Sequence, residues 1–236
     1  MAMSKKQIIA MGGGGFSMEP ENPLLDAYIV SQARKKTPEV CFFPHATDDA
    51  IRYGFNFYKA FNQLDARPST LSLFTPPTAD LESWLLEKDV IYVGGGNTKS
   101  MLALWREWGL DRILRMAYEQ GIVLAGISAG ANCWFEQCST DSLPGKLTVL
   151  SCLGLLKGSF CPHYDGEVNR RPTLHAYIAS GSMQPGYAAD DGAAVHFIDD
   201  IFSLAVSSRP NAKAYYVDRG AEGASEEQLS TYYLGR

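Results

Sequence analysis

The first half of the chain alternates between short apolar runs and longer segments in which apolar residues recur at helical spacing. The apolar runs are rich in β-branched residues and predict strands at residues 7–12, 39–44, 69–74, 89–94 and 122–127. The helical spacing predicts helices at residues 22–36, 48–64, 79–87 and 98–119. Strands that alternate with helices are typical of a mainly parallel sheet covered by helices on both faces. The sequence therefore predicts an α/β chain that begins as a doubly wound unit.

The helical periodicity weakens in the second half of the chain. Shorter strands are predicted at residues 147–152, 193–198, 202–206 and 213–218. The 236 residues contain no linker, repeat or low-complexity segment. We therefore expect one domain over residues 1–236.

Composition narrows the class of protein. A formal net charge of −5 argues against nucleic acid or an anionic membrane surface as a partner. No run approaches the ~18 apolar residues that a membrane span needs, and the first residues lack the apolar stretch of a secretory leader. The 5 cysteines form no C-x-x-C pair, which predicts reduced thiols and a cytoplasmic protein. We expect a monomer or a homodimer.

The apolar run at residues 122–127 ends at a serine between small residues. Ser128 stands between Gly126 and Gly130, the pattern of a nucleophile elbow in which a strand turns sharply into a helix. Such a turn holds the hydroxyl clear of the sheet, and larger neighbours would clash there. The backbone N–H of Ala129 would face an oxyanion at the start of that helix. An ordinary strand-to-helix turn is the alternative, because the pentapeptide also occurs by chance.

Two glycine-rich loops follow other predicted strands. Residues 12–15 are four consecutive glycines after the first strand, and residues 94–98 read Gly-Gly-Gly-Asn-Thr after the fourth. Because ligands bind beyond the carboxyl ends of parallel strands, we expect both loops to lie near the serine turn. A dinucleotide site is the competing interpretation. The G-x-G-x-x-G spacing is incomplete at Ser17, however, and Pro-His at residues 44–45 replaces the acidic residue expected after a second strand.

A serine nucleophile needs a base, and the chain has 4 histidines. His163 is the leading candidate because it follows a short apolar run and Pro162, in a constrained loop rather than a regular element. His45 ends the second predicted strand and so faces the same edge of the sheet. His175 lies in a helix-like stretch and His196 in a predicted strand, which favours packed or surface roles for both.

Four motifs occur together in the order of a known family. They are Gly-Gly-Gly-Asn-Thr at residues 94–98, Gly-Ile-Ser-Ala-Gly-Ala at 126–131, Cys-Pro-His-Tyr at 161–164 and Ala-Asp-Asp-Gly-Ala at 189–193. In this order they resemble the S51 serine peptidases, which include peptidase E (α-aspartyl dipeptidase) and cyanophycinase. The resemblance implies a class I glutamine-amidotransferase-like fold, a three-layer α/β sandwich with a mainly parallel sheet. Serine would replace the cysteine nucleophile of the amidotransferases.

The resemblance also implies a role for each matching residue. Ser128 matches the nucleophile, and His163 matches the general base. Asp191 is the first choice for the carboxylate and Asp141 the second, with Glu136 close to that second position. The family often has Glu where Asp191 stands, so the shorter side chain must be compensated by backbone position. The oxyanion hole is assigned to backbone N–H groups of Gly95, Gly96 and Ala129. No metal or cofactor is implied, and no Cys/His cluster has zinc spacing.

The substrate implied by peptidase E is a short peptide with an N-terminal aspartate. Its side-chain carboxylate needs a cation, for which Arg170 and Arg171 are the candidates, and Asn97 is a further candidate for substrate binding. A solvated helix start is the alternative interpretation of the two arginines. The absence of an obvious extra segment for a polymer groove favours a dipeptidase over a cyanophycinase-like enzyme. An esterase and a non-catalytic amidotransferase-like binding domain are further alternatives.

Overall fold

The computed structural model describes residues 5–221 and 223–235 of the chain. Within these residues the strands are β1 (Gln7–Met11), β2 (Glu39–Phe43), β3 (Arg67–Thr70), β4 (Val90–Val93), β5 (Val123–Ile127), β6 (Phe135–Thr140), β7 (Thr148–Ser151), β8 (Leu156–Cys161), β9 (Gly186–Ala189), β10 (Ala193–Ile198), β11 (Ile201–Ser207), β12 (Ala214–Gly220), β13 (Gly223–Leu229) and β14 (Thr231–Tyr233). The helices are α1 (Gly15–Met18), α2 (Leu24–Ser31), α3 (Ala50–Phe61), α4 (Leu81–Leu86), α5 (Thr98–Glu107), α6 (Leu110–Glu119), α7 (Ala129–Asn132) and α8 (Arg170–Ser180).

The larger sheet has the strand order β14-β11-β10-β1-β5-β4-β2-β3. From β1 to β3 in this order, all neighbouring strands are parallel, whereas β10 is antiparallel to both β1 and β11. The carboxyl ends of β1, β4 and β5 therefore meet at one edge of the sheet. β10 starts at this same edge, because Ala194 pairs with Met11. The loops after β1, β4 and β5 and the loop before β10 are thus brought together.

Helices cover both faces of this sheet, as the side-chain alternation of β1 shows. Ile8 and Ala10 belong to a core that includes buried residues of α4, α5 and α6, whereas Ile9 and Met11 belong to a second core with α1, α2 and α3. Successive side chains of a strand point to opposite faces, so the two cores lie on opposite sides of the sheet. The structure confirms the predicted three-layer α/β architecture.

A smaller sheet, with the order β13-β12-β9-β8-β6-β7, joins the core on the α5 and α6 side. Phe135 of β6 and Phe160 of β8 stack with ring centroids 5.0 Å apart and belong to that core. Leu174 and Ile178 of α8 form a further cluster with Val217 of β12. The chain passes from this smaller sheet to the larger one between β9 and β10.

Each predicted element of the first half has an observed counterpart, although α2 ends at Ser31 rather than at residue 36 and the short helix α1 was not predicted. The third strand is observed at Arg67–Thr70, earlier than predicted. The predicted helix at residues 98–119 is two helices, because Gly109 adopts φ 66° between α5 and α6. In the second half, the four predicted strands are observed as β7, β10, β11 and β12, and the sequence analysis missed β6, β8, β9, β13 and β14. In the described ranges, each helix is too short or too polar to cross a bilayer.

Candidate active site

β5 ends at a strained turn that carries Ser128. This residue adopts φ 55° and ψ −113°, a backbone conformation that non-glycine residues rarely adopt, and α7 begins at the next residue. A Cβ on Gly126 would lie 2.2 Å from the Gly130 carbonyl oxygen, and a Cβ on Gly130 would lie 2.2 Å from that of Val93. Only glycine fits at these two positions. The local geometry is the strand, tight turn and helix that the sequence predicts.

His163 and Asp191 lie side by side in two different loops. His163 follows β8 with φ 51°, and Asp191 lies between β9 and β10. His163 Nδ1 is 2.7 Å from Asp191 Oδ1, and each side chain is 14% exposed. This hydrogen bond holds the pKa of the Asp191 carboxyl below its usual range. The Asp191 side chain is therefore long enough to contact the imidazole, although the family often has the longer Glu at this position.

The glycines after β1 pack against this pair. A Cβ on Gly13 would lie 2.0 Å from Asp191 Oδ1 and 3.1 Å from His163 Nδ1. The Gly12 carbonyl accepts from the backbone N–H of His163 at 3.3 Å, and the Gly13 carbonyl accepts from that of Gly192 at 3.0 Å. The close approach of the His163–Asp191 pair therefore explains the absence of a side chain at Gly13, and a Cβ on Gly12 would lie 2.2 Å from the Ala189 carbonyl oxygen. This removes the main observation behind the dinucleotide interpretation.

Ser128 and His163 line the same cavity, whose volume is about 500 Å³. The turn after β4 forms part of its wall, since a Cβ on Gly95 would lie 3.3 Å from Ser128 Cβ and 3.8 Å from its Oγ. The other lining residues are Ser17, Met18, Thr47, Asp49, Arg52, Tyr53, Asn56, Gly96 and Ile127. The cavity therefore joins the loops after β1, β2, β4, β5 and β8.

The three predicted oxyanion donors differ in whether their N–H groups have an acceptor within the protein. The backbone N–H of Gly95 donates to Tyr53 Oη at 3.1 Å. The N–H groups of Gly96 and Ala129 have no acceptor in the described part of the chain. Gly96 adopts φ 134°, and a Cβ there would lie 2.2 Å from the Ala46 carbonyl oxygen. The sequence gave no indication that Tyr53 accepts a hydrogen bond from Gly95.

The other acidic candidates contact other partners. Asp141 has a side chain that is 66% exposed, and its Oδ1 lies 3.5 Å from Arg170 Nη2. Glu136 accepts from Lys157 Nζ at 2.8 Å. Of the three proposed carboxylates, Asp191 is the one in contact with His163.

The residues predicted to bind substrate are held by other parts of the protein. Arg170 is 2% exposed and donates to Glu167 Oε2 at 2.7 Å. Arg171 donates twice to the Glu226 carboxylate, at 2.9 and 3.1 Å. Asn97 caps α5 through its Oδ1, and its Nδ2 donates to a backbone carbonyl at 2.9 Å. None of the three is among the residues that line the Ser128 cavity.

Arg52 is one of several cavity residues that the sequence did not indicate, together with Asp49 and Tyr53. It lies on α3, its side chain is 77% exposed, and its Nε is 2.6 Å from Asp49 Oδ2. Both side chains line the Ser128 cavity. The available signal was the position of α3, which follows the carboxyl end of β2 at the ligand-binding edge of the sheet.

The other three histidines have protein partners. His45 is 2.9 Å from both the Leu71 carbonyl oxygen and Trp105 Nε1, and burial lowers its pKa to about 4. His196 is 2.7 Å from the Tyr28 hydroxyl, and burial lowers its pKa to about 4 as well. His175 Nε2 lies 3.0 Å from a Glu226 carboxylate oxygen. His163 is the histidine that lines the Ser128 cavity.

Known proteins resemble this chain along nearly its full length. Peptidase family S51 matches residues 8–205. The uncharacterized peptidase YgaJ of Bacillus subtilis (strain 168) is 58% identical over 230 residues, which cover 98% of this chain and 100% of that protein. A probable alpha-aspartyl dipeptidase of Drosophila melanogaster is 28% identical over 221 residues, which cover 89% of this chain and 88% of that protein.

Solved structures show the same fold at low sequence identity. The crystal structure of a peptidase from an acI-B1 Actinobacterium has a TM-score of 0.73 at 14% identity and covers 98% of this chain and 96% of its own. This likeness agrees with the class I glutamine-amidotransferase-like architecture expected from the motifs. The match over residues 8–205 and the full-length relative together show that this protein belongs to peptidase family S51.

Proposed function

We propose that this peptidase cleaves short peptides through Ser128, with His163 as the general base and Asp191 as the carboxylate that orients it. One observation carries the proposal: Ser128 and His163 line one cavity, and His163 Nδ1 is 2.7 Å from Asp191 Oδ1. A nucleophile, a base and an orienting carboxylate are the groups that acyl transfer by a serine requires.

The hydrogen bond to Asp191 assigns the two imidazole nitrogens of His163. Because Nδ1 faces Asp191, Nε2 is the atom that takes the proton from the Ser128 hydroxyl. The serine Oγ attacks the peptide carbonyl, and the C–N bond breaks as His163 returns the proton to the leaving amine. His163 then deprotonates a water molecule that attacks the acyl carbon, and the bond to Ser128 Oγ breaks as His163 returns the proton to that oxygen. The low pKa of Asp191 keeps its carboxylate ionised through these steps.

Negative charge on the carbonyl oxygen needs hydrogen-bond donors at the serine. The N–H groups of Gly96 and Ala129 supply them, since both belong to turns beside Ser128 and have no acceptor in the described ranges. Removal of one such donor commonly costs ~10²–10³ in rate. In this mechanism Tyr53 fixes the turn after β4 through its hydrogen bond with Gly95.

The cavity supports a small peptide with an N-terminal aspartate as substrate. Its volume of about 500 Å³ is within the range of small-ligand sites. Arg52 would bind the aspartate side chain, because a guanidinium matches a carboxylate in charge and geometry. Asp49, which also lines the cavity, would face the peptide's α-amino group. We place the reaction in the cytoplasm, the compartment that keeps free thiols such as those of this chain reduced.

Hydrolysis of a small substrate panel tests this function. The panel comprises Asp-Leu, Ala-Leu, β-Asp-Leu and a p-nitrophenyl ester, and the proteins are the wild type, Ser128→Ala and Ser100→Ala. Ser100 is exposed on α5 and is absent from the cavity lining, so it controls for a serine change elsewhere.

We expect Asp-Leu to be the best substrate, with activity lost in Ser128→Ala and kept in Ser100→Ala. Peptide cleavage that survives in Ser128→Ala would reject Ser128 as the nucleophile. A wild type that cleaves only the ester would indicate an esterase, and peptide binding without turnover would indicate a binding domain.

A further inference from the structure

A second cavity lies on the other side of α3 from the Ser128 cavity. Arg52 and Tyr53 of this helix line the Ser128 cavity, whereas Ile51 and Phe55 line the second one, which has a volume of about 460 Å³. Thr47, just before the helix, lines both. The second cavity is therefore a separate surface feature that the proposed peptidase mechanism does not use.

The wall of this second cavity carries no formal charge at neutral pH among the described residues. Its histidine, His45, is neutral because burial lowers its pKa to about 4. Residues 68–79, which contribute one side of the wall, contain no Asp, Glu, Lys or Arg. A charged ligand would find no ionic partner here, so the cavity suits an apolar side chain.

Large apolar side chains project from the rim of the same cavity. Phe74 and Ile51 are each 90% exposed, and Phe55 is 68% exposed. Together these three side chains expose roughly 450 Å². The largest apolar patch of a typical monomer is about 300–600 Å² and is often functional. The rim is therefore of the size at which an apolar patch often serves binding.

We propose that this face forms a two-fold homodimer in which Phe74 of each copy inserts into the second cavity of the other copy. The face carries both a protruding ring, Phe74, and a cavity of about 460 Å³, and a two-fold axis would place the ring of each copy opposite the cavity of the other. The three rim side chains supply roughly half of the ~800 Å² per partner that a standard interface buries. The adjoining uncharged residues 68–79 extend the same surface.

The dimer contact and the peptidase mechanism are independent claims. The contact uses the Ile51 and Phe55 side of α3, whereas Arg52 and Tyr53 point to the Ser128 cavity. A monomeric but active protein would reject the dimer alone. A dimeric protein without peptidase activity would reject the mechanism alone.

Sedimentation velocity from roughly 0.1 to 100 µM tests the dimer on the full chain. The variants are Phe74→Asp and Phe55→Asp, with Ile201→Asp as the matched control. Ile201 is 71% exposed at the start of β11, and it is absent from the lining of the second cavity. Phe74 lies outside helices and strands, so its variant keeps the test valid if a change in α3 impairs folding.

We expect a wild-type dimer, a dissociation constant raised about 100-fold or more by Phe74→Asp, and no such change in Ile201→Asp. A wild type that stays monomeric throughout, or a dimer that survives both Phe variants, would overturn the proposal. If the wild type is a monomer that binds anilinonaphthalene sulfonate, and the Phe74→Asp variant does not bind this dye, the cavity would be assigned to a small apolar ligand instead.

Discussion

His163 Nδ1 lies 2.7 Å from Asp191 Oδ1, at the place where the chain passes from the smaller sheet to the larger one. His163 follows β8 of the smaller sheet, and Asp191 precedes β10 of the larger sheet. Gly13, just after β1, forms a β-bridge with Asp191 and so ties the pair to the larger sheet that carries Ser128. The candidate catalytic groups therefore depend on how the two sheets are joined.

Asp191→Asn should lower kcat by about 10³–10⁴-fold, with little change in KM. The amide cannot hold the imidazole in the tautomer that accepts the serine proton. Steady-state hydrolysis of Asp-Leu measures the effect. Asp141→Asn is the matched control, and we expect it to stay within about twofold of wild type because exposed ion pairs contribute little. An equal loss in both variants would mean that Asp191 has no special role.

Gly13→Ala should lower both kcat and the melting temperature, with its main effect on kcat. The added Cβ would lie 2.0 Å from Asp191 Oδ1, so the carboxylate must move away from His163. We expect a loss in kcat of about 10²-fold or more, and a fall in melting temperature as well. In the control Gly54→Ala, the new Cβ would make an ordinary contact at 3.6 Å from Thr70. Wild-type kcat in Gly13→Ala would show that the loop does not position the pair.

Arg52→Met should raise KM for Asp-Leu by about tenfold or more while changing KM for Ala-Leu little. Arg52 and its ion-pair partner Asp49 both line the Ser128 cavity, whereas Arg171 is bound to Glu226 and is absent from the cavity lining. Arg171→Met is therefore the control, and its effect should be similar for both peptides. If Arg171→Met selectively impairs Asp-Leu and Arg52→Met does not, the carboxylate is bound by Arg171.

Asp26→Asn should stabilise the protein increasingly as pH rises. Asp26 is 1% exposed, and burial raises its pKa to about 7 from an ordinary 3.8. The folded state favours the protonated carboxyl of Asp26. The stability that this protonation contributes is complete below pH 4 and is lost as pH rises through 7. Each pH unit in this range changes the free energy of unfolding by up to about 1.4 kcal/mol.

Urea unfolding of wild type and Asp26→Asn at several pH values measures this difference. Asp48→Asn is the control, since Asp48 lies at the exposed end of the loop before α3. A gap between wild type and Asp26→Asn that stays constant between pH 4 and 8 would contradict the raised pKa.

The parallel strands were predictable because burial on both faces makes them continuously apolar. All five residues of β5 are buried, and such runs stand out in a sequence. β6 was missed because it buries the polar side chains of Ser139 and Thr140. β13 was missed because it exposes a run of polar residues that includes Glu226 and Glu227. Both form strands through backbone pairing, β13 with β12 and β6 with β7 and β8, which side-chain periodicity does not reveal.

The candidate site likewise contains some residues whose roles the sequence predicts and others whose partners it does not reveal. Local patterns predicted Ser128, between Gly126 and Gly130, and His163, in a loop after Pro162, whereas Asp191 was predicted from the resemblance to the family. The partners of Arg171 and Asn97 could not be predicted, since Glu226 and the loop at residues 141–147 approach them only in the folded chain. Arg52 had no local signature either, because it lies on an ordinary amphipathic helix.

Covalent labelling with a fluorophosphonate tests the central claim most directly, because the reagent reacts with a serine activated by a neighbouring base. Peptide mapping by mass spectrometry should find a single adduct on Ser128 in the wild type. Labelling should be about 10³-fold slower in His163→Ala, absent in Ser128→Ala and unchanged in Ser100→Ala. An adduct elsewhere, or equal labelling rates in wild type and His163→Ala, would contradict activation of Ser128 by the His163–Asp191 pair.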